Sequence, residues 1–348
     1  MAQSLYHTFQ RYRTLRTHRI TALPIVILMP HSACNCRCVM CDIWKGNRNL
    51  KQLNESDIVP LLSAFKKYGT RQVVMSGGEA LLNPDFFKLC ALLKEHDICI
   101  TLLSTGITLK QNADQLIQFT DDVIVSIDGP KPVHDFIRNI NGAFEKLESG
   151  VKEIRARKAS FIITGRSVIH RLNYKFLPET IAAAKEIGLQ SISFLPADTT
   201  SSAFNRETQW TEERQSEIVL REEDLDQLDQ IIEDIIRDNA TDFVNHFIVE
   251  SPGKMRNIVQ FYRAVHGQAS FPYKKCNAPW VSAVIEPDGS VRPCFFHNSI
   301  GNIREHSLDE ILNGNAAMQF RKQLDMDNND TCRKCVCSLN LSPFTALQ

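Results

Sequence analysis

The chain has 348 residues, 43% hydrophobic and 23% charged, proportions typical of a globular protein rather than a disordered one. Its 40 Lys and Arg residues balance its 40 Asp and Glu residues, so no overall charge favours nucleic acid or an anionic membrane as a partner. The sequence begins with no signal peptide or membrane-spanning run, so we expect a cytoplasmic protein whose eleven cysteines serve metal binding or catalysis rather than disulfides.

Strand-like and helix-like segments alternate through the first two thirds of the sequence. Short apolar or β-branched runs predict strands at 25–29, 71–75, 98–103, 123–127, 160–164 and 190–195. Helices are predicted between them at 55–68 (with Asn54 as N-cap and Gly69 as stop), after Asn83-Pro84, and at 111–119, 142–156 and 178–187. This alternation predicts an α/β fold with a parallel sheet, and six repeats suit a partial (β/α)6 TIM-like barrel.

Polar segments follow four of the predicted strands. They are residues 34–41, Gly77-Gly78-Glu79, Ser104-Thr105-Gly106 and Ser126-Ile127-Asp128. Barrels of this type carry their chemistry at the carboxyl ends of their strands. We therefore expect these four segments to form one site.

Residues 34–41, here called the cysteine loop, contain Cys34, Cys36, Cys38 and Cys41. Cys34, Cys38 and Cys41 have the spacing C-x3-C-x2-C, with which a short loop can hold three irons of a [4Fe–4S] cluster and leave the fourth iron open. Disulfides are disfavoured, because cysteines this close in one loop cannot all pair at disulfide geometry. A structural zinc site needs four ligands. Cys36 would complete that set, so zinc remains an alternative for this loop alone.

The last third of the sequence looks different. Helices are predicted at 211–238, 253–265 and 307–323, and a hairpin at 281–293 with its turn at Pro287-Asp288-Gly289. Residues 196–209 are polar and loop-like. The predicted organisation is an N-terminal arm (1–24), the barrel core (25–197), a helical linker (198–275) and a small C-terminal α+β extension (276–348).

A second set of cysteines lies in that extension. Cys276, Cys294, Cys332 and Cys335 follow the pattern C-x12-G-x4-C, then a distant C-x2-C. A hairpin brings its first and last cysteines together, and the C-x2-C turn completes a set of four. Zinc and an iron–sulfur cluster both suit four thiolates. Cys337 is a rival for either of the last two positions.

The sequence resembles the radical S-adenosylmethionine (radical SAM) superfamily over about residues 22 to 340. The resemblance rests first on Cys34, Cys38 and Cys41, with Met40 at the position that packs near the adenine. It rests also on Gly77-Gly78-Glu79, which is similar to the family motif that holds the methionine amino group of SAM. The proline that follows this motif in the family is Ala80 here.

Two further regions are similar to one subgroup of that family. Ser126-Ile127-Asp128-Gly129, with His134, Asp135 and Arg138 downstream, resembles a segment whose polar groups contact SAM. Ser104 and Thr105 lie at the end of a predicted barrel strand, and we expect them to bind the cofactor as well. The C-terminal cysteines are similar to a twitch or SPASM extension, and the chain ends soon after them, which implies a single auxiliary [4Fe–4S] cluster.

The resemblance implies an iron–sulfur oxidoreductase. SAM would be cleaved reductively at the first cluster, with electrons from a flavodoxin- or ferredoxin-type donor, and the 5′-deoxyadenosyl radical would abstract hydrogen from the substrate. In this scheme Cys36 is a spacer that points away from the cluster. Candidate polar groups for substrate are Ser104, Thr105, His134, Arg138, Arg166, His170 and Asn173.

Only about 24 residues precede the first strand, too few for the leader-binding domain of many peptide modifiers, so we expect a small-molecule substrate. Peptide maturation remains an alternative, since a separate partner protein could deliver a short peptide. A zinc-binding structural or nucleic-acid module is the alternative of another class. The balanced charge and the lack of a basic stripe with interleaved aromatics disfavour nucleic acid, and no membrane partner is expected.

Overall fold

Nine strands form one sheet in the described part of the chain, which in this computed structural model comprises residues 5–201, 203 and 209–345. The strands are β1 (Ile25–Leu28), β2 (Gln72–Met75), β3 (Cys99–Ser104), β4 (Asp122–Ser126), β5 (Ile162–Ile169), β6 (Ile192–Pro196), β7 (Ser282–Ile285), β8 (Ser290–Arg292) and β9 (Gly301–Asn302). Their order in the sheet is β6-β5-β4-β3-β2-β1-β7-β8-β9. The first six pair in parallel, neighbour to neighbour, which confirms the predicted α/β partial barrel.

Helices cover this sheet or extend from its ends. The longer ones are α1 (Leu5–Thr17), α2 (Glu55–Tyr68), α3 (Phe86–Lys94), α4 (Ala113–Phe119), α5 (Lys131–Arg138), α6 (Ala143–Arg157), α7 (Leu177–Glu186), α9 (Leu225–Asp238), α11 (Pro252–Val265) and α14 (Asn315–Gln323). The shorter ones are α8 (Glu212–Ser216), α10 (Ala240–Val244), α12 (Ala278–Val281), α13 (Leu308–Asn313) and α15 (Asp330–Lys334). In the described ranges, no helix is both long enough and apolar enough to traverse a bilayer.

Local sequence signals account for the ends of several elements. Asn54 caps α2 by accepting from the backbone N–H of Ser56, and Gly69 ends it with a φ of 63°. Both were predicted, and both are confirmed. Strand β1 is apolar throughout, and Val26 and Leu28 have no exposed surface, as expected of a strand in a sheet that is covered on both faces.

Two predicted helices are interrupted. The helix predicted at 211–238 is divided into α8 and α9, and Ile218, Val219 and Leu220 between them are all buried. Three consecutive apolar residues cannot share one face of a helix, so an irregular segment buries them. The helix predicted at 307–323 breaks at Gly314, whose ψ of 164° is extended.

Strand β5 is longer than the predicted 160–164. Its first half pairs with β4 and its second half with β6, so neighbouring strands extend it through Gly165 and Arg166, which have little β-preference of their own. The predicted polar loop at 196–209 lies partly outside the described residues.

The C-terminal extension continues the barrel sheet. Strand β7 pairs in parallel with β1, from Ile25 opposite Ser282 to Leu28 opposite Ile285. Strands β8 and β9 then add antiparallel neighbours, as the predicted hairpin required. The three domain boundaries predicted from sequence stay predictions, but this pairing fixes the extension against the strand that leads into the cysteine loop.

Candidate functional site

The cysteine loop lies at the carboxyl end of β1 and borders a cavity of about 230 Å³, here called the first cavity. Cys34, Cys38 and Cys41 line it, together with Met40. Cys36 has no exposed surface and is not among the lining residues. The loop therefore presents three of its four thiols to one space.

Two glycines after β2 form the opposite side of this cavity. Gly77 has a φ of 113°, and a Cβ atom on Gly78 would lie 2.0 Å from the carbonyl oxygen of Ala33. Any side chain at position 78 would push the cysteine loop away. The backbone N–H of Glu79 also donates to that oxygen at 2.8 Å. Glycine is thus required where the two loops touch.

The carboxylate of Glu79 is not among the groups that line the first cavity, and its expected contact with a cofactor stays a prediction. It is fully buried and accepts from the backbone N–H of Thr105 at 2.7 Å, from the Thr105 hydroxyl at 2.6 Å and from the Ser104 hydroxyl at 3.0 Å. Burial raises the pKa of Glu79, and these donors oppose the rise. Ser104 and Thr105 themselves line the cavity, so the Glu79 carboxylate contacts the cavity wall from behind.

Ser126 lines the first cavity as expected, whereas Asp128 lies behind its wall with no exposed surface. One Asp128 carboxylate oxygen is 2.5 Å from a guanidinium nitrogen of Arg138. Another nitrogen of Arg138 is 3.5 Å from the sulfur of Cys38. Contact with the Cys36 thiol lowers the pKa of Cys38 to about 7; burial opposes this and Arg138 supports it. A lowered thiol pKa favours the thiolate that binds metal.

The other candidate polar groups lie outside the first cavity, as far as the described residues show. His134, His170 and Asn173 are buried behind its wall, and the Asn173 amide donates to the Asp128 carbonyl oxygen at 3.1 Å. Arg166 is exposed on β5 and donates to the Ser193 hydroxyl.

A second cavity, of about 270 Å³, lies in the C-terminal extension. All four predicted ligands line it, and so does Cys337. The chain brings these residues together from three places. They are Cys276 before α12, Cys294 after β8, and Cys332, Cys335 and Cys337 in and after α15. Burial raises the pKa of Cys294 to about 11 and that of Cys332 to about 12.

Both thiol sets fit iron–sulfur clusters better than single metal ions. Four thiolates on one zinc ion stand about 3.8 Å apart, given a Zn–S distance of about 2.3 Å. Among the described residues, no three Cys, His, Asp or Glu side chains are grouped so as to hold one metal ion. A cluster is larger and accepts more widely spaced thiols around a cavity.

Four further residues lie at these cavities; of these, Phe296 and His297 were predicted to wall the second cluster, Cys337 was a rival ligand, and Lys274 was not foreseen. His297 lies 3.4 Å from the sulfur of Cys332 through its Nε2 atom. The ammonium of Lys274 contacts the carbonyl oxygen of Cys335; burial lowers the pKa of Lys274, and the nearby thiols oppose this. In the sequence, only its position two residues before Cys276 indicates that Lys274 lies near the second cavity. Phe296 lines both cavities, as does Cys337.

Comparisons with known proteins agree with this geometry. Residues 28–194 match the model of the radical SAM superfamily, and residues 276–336 match the SPASM model, an iron–sulfur cluster-binding domain. The chain is 28% identical to a probable GTP 3′,8-cyclase of Methanococcus maripaludis. That alignment covers 53% of this chain and 61% of the relative, which is less than two thirds of its length.

Other relatives align over most of the chain. An AdoMet-dependent heme synthase of Methanosarcina barkeri is 24% identical over 84% of this chain and 82% of its own. The sporulation killing factor maturation protein SkfB of Bacillus subtilis is 21% identical, over 89% of this chain and 68% of SkfB. Among solved structures, Streptococcus suis SuiB bound to its precursor peptide SuiA covers 99% of this chain and 81% of its own, with a TM-score of 0.65. At 15% identity that likeness concerns the fold alone.

Proposed function

Because the chain is an enzyme of the radical SAM superfamily with a SPASM iron–sulfur domain, we propose that it removes a hydrogen atom from an organic substrate bound between its two cavities. The two domains imply three cofactors: a SAM-binding [4Fe–4S] cluster, SAM, and an auxiliary [4Fe–4S] cluster. In the proposal, the protein contributes binding, orientation and exclusion of water, while the cofactors supply the difficult chemistry.

We assign the first cluster to Cys34, Cys38 and Cys41, which leaves one iron open for SAM. SAM would lie against Met40, Gly77, Gly78, Ser104, Thr105 and Ser126, which line the first cavity. When bound, the reduced cluster and SAM would supply a 5′-deoxyadenosyl radical. Glu79 and Asp128 serve this site through Thr105 and Arg138 respectively, which their side chains contact.

We assign the auxiliary cluster to Cys276, Cys294, Cys332 and Cys335, which line the second cavity. When bound, it would supply an acceptor for one electron. The buried thiols need a metal to lose their protons at neutral pH, because burial raises the pKa of Cys294 to about 11 and metal ligation reverses that preference.

The observation that carries the proposal is the wall common to the two cavities. Phe296 and Cys337 line both, and Val336 between the last cysteines also borders the first cavity. A substrate at this wall would lie beside the SAM site and beside the auxiliary thiols. It would lose one hydrogen atom to the adenosyl radical, then one electron to the auxiliary cluster and one proton to solvent, which together make a two-electron oxidation.

A small molecule is the substrate class that we propose first. The heme synthase relative aligns over more than four fifths of both chains, and apolar Leu195, Phe296 and Val336 at the first cavity suit a compact organic molecule. A short peptide is the second candidate, favoured by the similarity to the maturation protein SkfB over 89% of this chain. A flavodoxin- or ferredoxin-type protein is the proposed electron donor.

The test is anaerobic SAM cleavage. The protein is reconstituted with iron and sulfide, reduced with dithionite and given SAM, and 5′-deoxyadenosine is measured by mass spectrometry. We expect product from the wild type and none from a variant with Cys34, Cys38 and Cys41 all changed to Ala. Equal product from the two proteins, or a wild type that binds zinc and little iron, would overturn the proposal.

The assignment of the auxiliary cluster to the C-terminal cysteines is tested by measuring how much iron the protein holds. We expect about eight irons per chain in the wild type and about four in the triple variant. A variant with Cys276 and Cys294 changed to Ala should also hold about four irons and still cleave SAM, because the first cavity retains its three thiols.

A further inference from the structure

Arg138 places a cation against a sulfur of the first cysteine set. Its Nη1 atom lies 3.5 Å from the sulfur of Cys38, and its side chain is 8% exposed. Helix α5 ends at this residue. The backbone fixes the contact from both sides, because Arg37 N–H donates to the Arg138 carbonyl oxygen at 3.1 Å and Val39 N–H to that of Ile137 at 3.0 Å.

The charge of Arg138 is balanced behind the cysteine loop by Asp128. An oxygen of that carboxylate is 2.5 Å from Nη2 of Arg138, and the Asp128 side chain has no exposed surface. Burial by itself would lower the pKa of Arg138, but the charges of Asp128 and of the nearby thiols raise it above its ordinary value. The cation therefore contacts Cys38 and lines the first cavity, while the anion contacts the cation and has no exposed surface.

The surroundings of this pair are polar and incompletely satisfied. Among the described residues, the Nε2 atoms of His134 and His170 and the hydroxyl of Ser167 have no hydrogen-bond partner. Backbone N–H groups donate to Nδ1 of both histidines at 3.2 Å, so in the neutral rings Nε2 carries the proton. These donors and acceptors suit ordered water around Asp128.

We propose that the Arg138–Asp128 pair sets the reduction potential of the cluster held by the cysteine loop. This inference rests on the proposed function, because it requires a cluster on Cys38. Reduction adds negative charge to a cluster, and a nearby cation or a hydrogen bond to a ligand sulfur favours the reduced form. Arg138 therefore raises the potential, and Asp128 offsets part of that effect.

The two residues should act with opposite signs. Arg138→Gln removes the cation and should shift the potential of the SAM-binding cluster to more negative values. Asp128→Asn removes the anion and should shift it to more positive values. A merely structural role would not produce opposite shifts. Arg138→Lys keeps the charge and should return the potential toward that of the wild type.

The measurement is a redox titration followed by electron paramagnetic resonance on the reconstituted full-length protein. The signal that changes when SAM is added identifies the first cluster and separates it from the auxiliary one. Lys131→Gln is the matched control. It removes one positive charge from the same helix, but at a side chain that is 54% exposed, so water and salt should screen its effect.

Opposite shifts in the two variants, with no shift in the control, would support the proposal. Shifts of the same sign, or no shift in either variant, would overturn it. If Arg138→Gln does not fold, Asp128→Asn decides by itself, and a potential at or below that of the wild type refutes the proposal. A wild type without a SAM-responsive signal would instead refute the proposed function.

Discussion

The indole N–H of Trp210 donates a 2.8 Å hydrogen bond to the carboxylate of Asp42, the residue that follows Cys41. Both side chains are buried, at 8% and 5% exposure. The Arg214 guanidinium lies 4.6 Å from the centre of the indole ring and donates to the Val39 carbonyl oxygen. The segment that follows β6 thereby holds the cysteine loop against the barrel.

Removing this hydrogen bond should loosen the cysteine loop. Trp210→Phe keeps an aromatic ring but deletes the donor, which leaves a buried carboxylate short of one partner. We expect a loss of about 1.5–3 kcal/mol in the free energy of unfolding, the usual range for hydrogen bonds to charged groups. We also expect faster release of iron to a chelator. Urea unfolding followed by circular dichroism measures the first effect, and chelator absorbance measures the second.

Trp280 provides the control for this experiment. Its indole donates to Nδ1 of His18 at 3.1 Å, and it lies just before β7, at the amino end of the sheet. Trp280→Phe should lower stability without changing the rate of iron release at the first cluster. Equal rates of release from the two variants would contradict the role given to Trp210.

Glu79→Gln should reduce stability and SAM affinity together. The amide nitrogen of glutamine is itself a donor, whereas both oxygens of Glu79 accept. At least one of the three groups that donate to Glu79, namely the Thr105 N–H and the hydroxyls of Ser104 and Thr105, would therefore lose its acceptor. A buried donor without an acceptor lowers the free energy of unfolding by about 1–3 kcal/mol. The displaced Ser104 and Thr105 would then bind SAM less well. Thermal unfolding and equilibrium dialysis with SAM check both effects. Weakened SAM binding at unchanged stability would instead indicate direct contact between Glu79 and SAM.

Cys36→Ala should retain the first cluster, whereas Cys34→Ala should lose it. Cys36 is fully buried and, unlike Cys34, does not line the first cavity, so we expect its sulfur to stay off the cluster. We expect about eight irons per chain in Cys36→Ala and about four in Cys34→Ala, with 5′-deoxyadenosine formed only by the former. Low iron in Cys36→Ala would make Cys36 a ligand.

Two buried histidines should make the protein sensitive to mild acid. Burial, aided by the charge of Arg138, lowers the pKa of both His134 and His170 from 6.5 to about 3. The unfolded chain binds two protons below pH 6.5 that the folded chain does not, so their contribution is complete above pH 6.5 and is lost as pH falls toward 3. At pH 5.5 each histidine should lower the free energy of unfolding by about 1.4 kcal/mol.

Urea unfolding at pH 7.5 and 5.5 tests this expectation. The loss of stability between the two pH values should be about 3 kcal/mol in the wild type and about half as large in His134→Gln. A His134→Gln variant with the full pH dependence of the wild type would show that His134 is not the group that titrates.

Features that depend on neighbouring residues could be predicted from the sequence. The alternation of strands and helices, the caps at Asn54 and Gly69, and the spacing of Cys34, Cys38 and Cys41 all follow from patterns within a few residues. The placement of polar segments at the carboxyl ends of strands follows from the geometry of a parallel sheet. This reasoning reached the lining of both cavities; the predicted contacts of Glu79 and Asp128 with the cofactor stay predictions, and the role of Cys337 stays open.

The tertiary structure decided which of those residues act directly. Cys38 meets Arg138 across 100 residues, Asp42 meets Trp210 across 168, and β7 joins β1, which brings Phe296 and Cys337 to both cavities. No local period or spacing encodes such contacts, because they arise only when distant elements pack. The direction of the Glu79 carboxylate was decided in the same way: a buried charge turns toward the nearest donors, and Ser104 and Thr105 reach it only from the neighbouring strand β3.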